Sequence, residues 1–291
     1  EARTFTREGK CCCKREPQWQ ISEEEEKGAP EWDLLRYQWA AGGQEALRQC
    51  AQKGAAAEVE GYSDGSVKYN RAEGTWAWTI KVRSPEGKQV LVAFGIGRME
   101  REPEAYWAAI SSCRTELMGL LSGMVFMRQQ DWPGTVVWRM DAKSVMDSSK
   151  SIRYQTGRRW QQVAETDLWR EVIREMDWWK DRFDVRWVKG HADRRRVGGR
   201  RVHGCVTLHE HCNMEVDWLA DTAYTDEAPP VPLPPAIDVA LTIRGVRVRA
   251  KVRVAVKKHL AVEHARAQSR LDTDRWGAEG EVDWDMMLAT P

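Results

Sequence analysis

Apolar residues recur along this chain at two periods, and the switch between them sets the order of elements. The stretch EVEGYSDGSV from Glu58 to Val67 reads as a strand. Trp76, Trp78, Ile80 and Val82 then alternate with less apolar neighbours, as the exposed and buried sides of a second strand do. SPEGK at 84–88 supplies a turn, and QVLVAFGIG predicts a third strand antiparallel to the second. Leu117, Leu120, Leu121 and Met124 then fall on one helical face before the breaker Trp132-Pro133-Gly134. TVVWRMD is a short apolar strand ending at Asp141, and the spacing of Val163, Leu168, Val172, Ile173 and Met176 predicts a long helix from Trp160 to Lys180. DVRWVKGH predicts a fifth strand, and Val216, Leu219, Ala220 and Ala223 predict a closing helix over 213–224. A meander followed by alternating strands and helices implies an α/β fold: a mixed five-stranded sheet, its first three strands antiparallel, flanked by helices.

The flanks carry weaker patterns. Residues 1–30 combine CCCKRE with the acidic run Glu23 to Glu26 and hold little that could pack, which predicts disorder. Trp32, Leu35, Trp39, Ala46, Leu47 and Cys50 fit helical spacing up to about Gln52, interrupted at Gly42-Gly43. EAPPVPLPPA reads as a stiff, extended linker. Beyond it VALTIRG and VRVRA predict a hairpin, a helix is expected from Lys251 to Leu271, and VDWDMM adds an aromatic anchor. The expected organisation is an N-terminal segment over 1–57, a domain over 58–227, a linker over 228–236 and an extension over 237–291. The first residue, Glu1, suggests a piece of a longer polyprotein.

Composition narrows the class. No run of about 18 apolar residues and no signal-peptide pattern is visible, so an intracellular protein of cytoplasm or nucleus with no membrane partner is expected. Seven cysteines, three contiguous at Cys11 to Cys13, do not form a secreted disulfide framework and read as thiols. Net charge is only +1, yet seven Lys or Arg against one Asp fall between Arg186 and Arg201, a local patch where a polyanion could dock. Most of the sixteen tryptophans, such as Trp76, Trp78 and Trp138, sit at positions suited to core packing.

Four acidic residues fall where this architecture would gather them. Asp64 lies in the first strand, Glu116 at the start of the first helix, Asp141 at the end of the fourth strand and Asp217 in the last helix. Any one of 44 acidic residues is ordinarily a solvated surface group. Asp64 and Asp141, however, interrupt strands that are otherwise apolar, where an unpaired charge is costly. If those two strands are central neighbours, the two carboxylates lie side by side. Ionised carboxylates in one pocket repel unless hard cations neutralise them. Two such ions, about 3.5 to 4 Å apart, serve phosphodiester hydrolysis.

Five segments carry a resemblance: Y-S-D-G-S at 62–66, R-T-E-L at 114–117, V-V-W-R-M-D at 136–141, W-V-K-G-H at 187–191 and N-M-E-V-D-W-L-A at 213–220. In this order they resemble the signatures of type 1 ribonuclease H, over about residues 58–224. The resemblance implies that Asp64, Glu116, Asp141 and Asp217 bind two magnesium ions, with manganese able to substitute. It further implies that His191 assists proton transfer or product release, and that Gly65, Ser66 and Asn213 lie near the substrate. Asn213 stands one helical turn before Asp217; a plain helix N-cap is the other reading, compatible with the first. The implied substrate is an RNA/DNA hybrid, and the context resembles a retrotransposon polyprotein with a reverse transcriptase domain as partner. Two departures stand out: Ala142 follows Asp141 where a serine is common, and the loop between His191 and Asn213 is long and arginine-rich.

That loop holds His203, Cys205, His209, His211 and Cys212, a possible zinc set at unfamiliar spacing. Its arginines Arg194, Arg195 and Arg196 are better read as contacts to the phosphates of a duplex. Two rival functions remain open. One is an integrase, transposase or resolvase nuclease on the same fold; the other is a decayed domain that binds hybrid without cutting it.

Overall fold

The alternation that marks the strands becomes a two-sided sheet. In a computed structural model the described residues are 37–68, 73–84, 87–99, 110–155, 163–191, 196–197, 200–201, 207–225, 242–243, 246–247, 256–265 and 267–268. Strands β1 (Tyr37–Trp39), β2 (Glu58–Lys68), β3 (Glu73–Arg83), β4 (Gln89–Arg98), β5 (Thr135–Met140) and β6 (Phe183–Trp187) form one mixed sheet in the order β1-β4-β3-β2-β5-β6. β2, β3 and β4 are an antiparallel meander, whereas β5 adds parallel to β2 and β6 parallel to β5. The α/β architecture with an antiparallel start and flanking helices is therefore as expected, with one strand more.

The sixth strand replaces part of the helix expected between Trp32 and Gln52. Tyr37 to Trp39 pair with Gly95 to Ala93 on β4, and among the described residues of this stretch the α-helix is α1 (Gly43–Ala51). Three residues cannot distinguish a period of 2 from one of 3.6, and the pairing partner lies more than fifty residues away. The gain is aromatic packing: the Tyr37 and Trp39 rings lie 4.8 and 5.4 Å from that of Phe126.

Each sheet face has its own helix. α2 (Ser112–Gln129), capped by the Ser111 hydroxyl accepting from the Arg114 N–H, covers the side bearing Ser63, Gly65 and Trp78. Trp76, Trp78 and Trp138 are wholly buried, as their strand positions predict; the indole N–H of Trp138 donates to Ser63 at 2.9 Å. α5 (Leu208–Thr222) covers the opposite side through Val216, Leu219 and Ala220 against Tyr62, Ala77 and Phe94.

Between β5 and β6 run α3 (Lys143–Ser151) and α4 (Thr166–Trp179). The latter starts later than the helix expected from Trp160; positions 156–162 lie outside the described residues. α3 begins at Ala142, which supplies no side-chain cap where a serine could. The final expected strand is shorter than DVRWVKGH, ending at Trp187 and leaving Val188 to His191 as a turn. In the arginine-rich loop, β7 (Arg196–Val197) pairs with β8 (Arg200–Arg201).

These elements, apart from the first two residues of α4, belong to a unit comprising residues 1–100, 110–153 and 168–234; residues 101–109, 154–167 and 235–291 form a second. Within the second, β9 (Thr242–Ile243) pairs antiparallel with β10 (Val246–Arg247), and 256–265 are helical. The disorder expected over 1–30 and the linker over 228–236 fall outside the described residues. Among the described residues no helix is long and apolar enough to cross a membrane, and Cys50, Cys113 and Cys212 are free thiols.

Candidate metal centre

Sheet register brings the first two carboxylates together. β2 and β5 pair with Tyr62 opposite Arg139, so two residues further on Asp64 stands beside Asp141, on the α5 side of the sheet. Glu116 arrives from α2, which approaches β2 closely because residue 65 has no side chain. A Cβ there would lie 2.3 Å from the Thr115 hydroxyl and 2.7 Å from the Glu116 nitrogen. The result is a cluster in which ligand oxygens of Asp64, Glu116 and Asp141 all lie within 4.8 Å of one another. Asp64 and Glu116 are each only 5% exposed.

Asp217 comes from α5 at the open side of this cluster. It lies outside the tight trio, but its charge raises the pKa of both Asp64 and Asp141. His191 Nδ1 is 3.3 Å from an Asp217 carboxylate oxygen, and the ring is about half exposed. The backbone of His191 is left-handed, φ 46°, a conformation that a non-glycine residue adopts at an energetic cost.

Electrostatics make the cluster a sink for cations. Burial is the largest cause holding Asp64 well above the usual carboxylate range, with Asp141 and Asp217 adding repulsion. Glu116 is raised by burial and then by Asp64 and Asp141. Burial raises Asp141 too, with Asp217 adding to it, while the nearby His191 and Asn213 pull it back. Among the described residues no lysine or arginine is paired with these carboxylates, and Glu116 Oε2 is buried without a hydrogen-bond partner. Hard oxygen donors, uncompensated charge and an orphaned buried oxygen together fit a divalent cation.

Asn213 is not a helix N-cap. α5 starts five residues earlier, where Thr207 and Glu210 form a capping box, so Asn213 sits in the second turn, 1% exposed and on the face of Asp217. Its amide lies close enough to Asp141 to favour ionisation, but neither its oxygen nor its nitrogen completes a hydrogen bond. Ser66 donates to Asp221 at 3.0 Å and so ties β2 to the end of α5. Arg194 and Arg195 lie outside the described residues; Arg196 begins β7.

The zinc set is not assembled among the described residues. His209 Nδ1 contacts the Tyr62 hydroxyl at 2.8 Å, His211 faces Glu215 at 3.2 Å, and Cys212 donates to Gln89 at 2.9 Å. His203 and Cys205 lie outside the described residues. Three side chains with three different partners do not converge on one ion. Two residues that no single motif position singled out as functional also touch the centre. Trp187 Nε1 donates to the Asp141 backbone carbonyl at 3.1 Å, and Gly190 lies against the Asp141 carboxylate. Their only signal in the sequence is membership of the W-V-K-G-H segment.

No protein-family model and no curated protein matches the chain. Solved structures do. Ribonuclease H1 from the halophilic archaeon Halobacterium salinarum NRC-1 is similar over 58% of this chain and 98% of its own, at 17% identity and a TM-score of 0.36. The PFV RNase H domain is similar over 60% of this chain and 98% of its own, at 14% identity and a TM-score of 0.44. For the prototype foamy virus protease-reverse transcriptase the shares are 57% of this chain and 20% of that one, at 14% identity and a TM-score of 0.40. The present chain thus spans about a fifth of that protein's length. In this chain the antiparallel meander carries two parallel additions, which gives a mixed α/β sheet of the kind expected from the order of the elements.

Proposed function

We propose that this chain is a metal-dependent endonuclease that hydrolyses the RNA strand of RNA/DNA hybrids. One observation carries the reading: three carboxylates from β2, α2 and the end of β5 converge, Asp64 and Glu116 buried and Asp141 half-buried, with no lysine or arginine among the described residues paired to them. Asp64, Glu116, Asp141 and Asp217 would hold two magnesium ions, or manganese in their place, which supply an activated water and a stabilised leaving oxygen. The chain's own contribution is to fix these oxygens and exclude competing donors. Burial keeps Asp64 and Glu116 from being solvated, so their charge is compensated only at the site itself.

His191, at the open side, is placed to exchange a proton with solvent. Its Nδ1 lies 3.3 Å from an Asp217 carboxylate oxygen, close enough for a proton to pass by way of that pair. Gly65 and Ser66, next to Asp64 on β2, would lie near the substrate. Arg194, Arg195 and Arg196 are assigned to duplex phosphates, which makes binding weaken with salt. Selection for a hybrid rests on groove shape and the 2′-hydroxyl rather than on base reading. Five motifs in order support the same assignment, and a role in retroelement replication, beside a reverse transcriptase domain of the same polyprotein, is part of the proposal.

The test is cleavage of an end-labelled RNA/DNA hybrid with magnesium, beside double-stranded DNA, double-stranded RNA and an Asp141→Asn control. Cutting confined to the RNA of the hybrid and abolished in the control is expected. Cleavage of DNA alone would move the chain to the integrase and resolvase class. Binding of hybrid without cleavage under either metal would identify a degenerate domain.

A further inference from the structure

The turn after β6 wraps around Asp141, and its contacts go beyond chain reversal. Val188 N–H donates to the Met140 carbonyl at 3.0 Å, which continues the β5–β6 pairing past the last strand residue. Trp187 Nε1 donates to the carbonyl of Asp141 itself. That indole is 49% exposed, unlike the wholly buried Trp76, Trp78 and Trp138, so burial of apolar surface does not explain its placement.

Gly190 completes the wrap from the other side. A Cβ at this position would stand 1.8 Å from Asp141 Oδ2, 2.7 Å from its Cγ and 2.9 Å from its Cβ. The backbone at Gly190 is not left-handed, so conformational freedom does not account for the glycine; the strained residue is its neighbour His191. All three nearest atoms belong to one side chain, and the closest is the tip of a carboxylate that can rotate. Rotation of Asp141 would clear its Oδ2 and Cγ from a methyl group here, and the remaining contact with its Cβ at 2.9 Å asks for only a small further shift, so the carboxylate is what a substitution displaces most.

We propose that Gly190 and Trp187 are positioning residues that clamp Asp141. Trp187 fixes its backbone, and the bare Cα of Gly190 leaves room for the one carboxylate orientation that meets Asp64 and Glu116. This rests on the reading of the cluster as a cation site. Partners that orient a metal ligand are worth about 10- to 100-fold in metal affinity or activity when removed.

The test uses the full chain and Mn2+ as the probe, with free Mn2+ followed by electron paramagnetic resonance and thermal unfolding followed in chelator. Gly190→Ala is expected to weaken Mn2+ binding by about 10- to 100-fold, while the melting temperature in chelator stays within about 2 °C. Trp187→Phe keeps the ring and loses the N–H; it is expected to weaken binding about tenfold, and it carries the test should Gly190→Ala not fold. In an Asp141→Asn background Gly190→Ala should add nothing further, because the side chain it displaces has already lost its charge. Unchanged Mn2+ affinity in both variants, or a full additional loss on top of Asp141→Asn, would overturn the clamp alone. Failure of the unsubstituted chain to bind Mn2+ would overturn the cation site and the clamp together.

Discussion

Two buried polar clusters lie between the sheet and α5, and they are built on opposite rules. At one end Lys81, 6% exposed, pairs with Glu215 and contacts the Cys212 thiol at 3.2 Å, while Tyr62 donates to Glu60 at 2.7 Å and Arg139 lies 3.4 Å from the same carboxylate. Opposite charges meet there. Burial would lower the Lys81 pKa, but Cys212 and Glu215 outweigh it; because burial pushes the Cys212 thiol up, Glu215 is the charged partner at neutral pH. At the other end, Asp64, Glu116 and Asp141 bring only negative charge and leave Glu116 Oε2 and the Asn213 amide without partners. The first cluster is closed by the chain itself, whereas among the described residues the second has no lysine or arginine paired with it, which suits it to the proposed cation. That contrast separates a polar anchor from a binding site better than burial or residue type does.

Breaking the closed cluster should have the largest effect on stability. Lys81→Met takes the ammonium from half-buried Glu215, which keeps His211 at 3.2 Å, and is expected to cost about 3 kcal/mol, seen as a melting point lower by roughly 10 °C. Lys81→Met combined with Glu215→Leu should recover much of that loss, since a matched apolar pair removes the stranded charge. If the double variant is no more stable than the single, the pair is not an isolated unit. Tyr62→Phe removes one buried hydrogen bond to Glu60 and should cost about 1–2 kcal/mol. Chemical denaturation measures both.

The open cluster should respond with the opposite sign. Asp64→Asn removes one of several repelling charges and is expected to raise the metal-free melting point by roughly 2–4 °C while abolishing cleavage. The pH dependence follows from the raised pKa values of Asp64, Glu116 and Asp141. The folded chain keeps protons that the unfolded chain releases near pH 4, so metal-free stability is full below that pH and falls as pH rises through the folded values. Asp64→Asn should flatten this fall, and a steeper one would contradict the assignment. Unfolding curves from pH 4 to 8 in chelator give the comparison.

Much of this contrast was visible in the residues, though unevenly. Asp64 and Asp141 stood out because each interrupts an apolar strand, and a parallel β2–β5 pair then fixes their proximity without further detail. β1 was not legible, since Tyr37-Gln38-Trp39 is too short to show a period and gains its meaning from Phe126 on a distant helix. No stripe marks α3, where only Val145, Met146 and Ser149 are buried in a polar stretch. The start of α5 could have been read from Thr207 and Glu210, a capping box that precedes the expected helix and removes Asn213 from the cap position. The Lys81–Glu215 pair and the contact of Gly190 with Asp141 join residues far apart in the chain, and nothing local signals either.

A calorimetric titration of the metal-free full chain with Mn2+, repeated on Asp64→Asn and Glu116→Gln, shows whether the acidic cluster takes a cation. The open cluster predicts binding with proton release, because carboxyl groups held protonated must ionise to take the ion, and loss of that binding in both variants. Absence of binding, or binding that survives both substitutions, would contradict it.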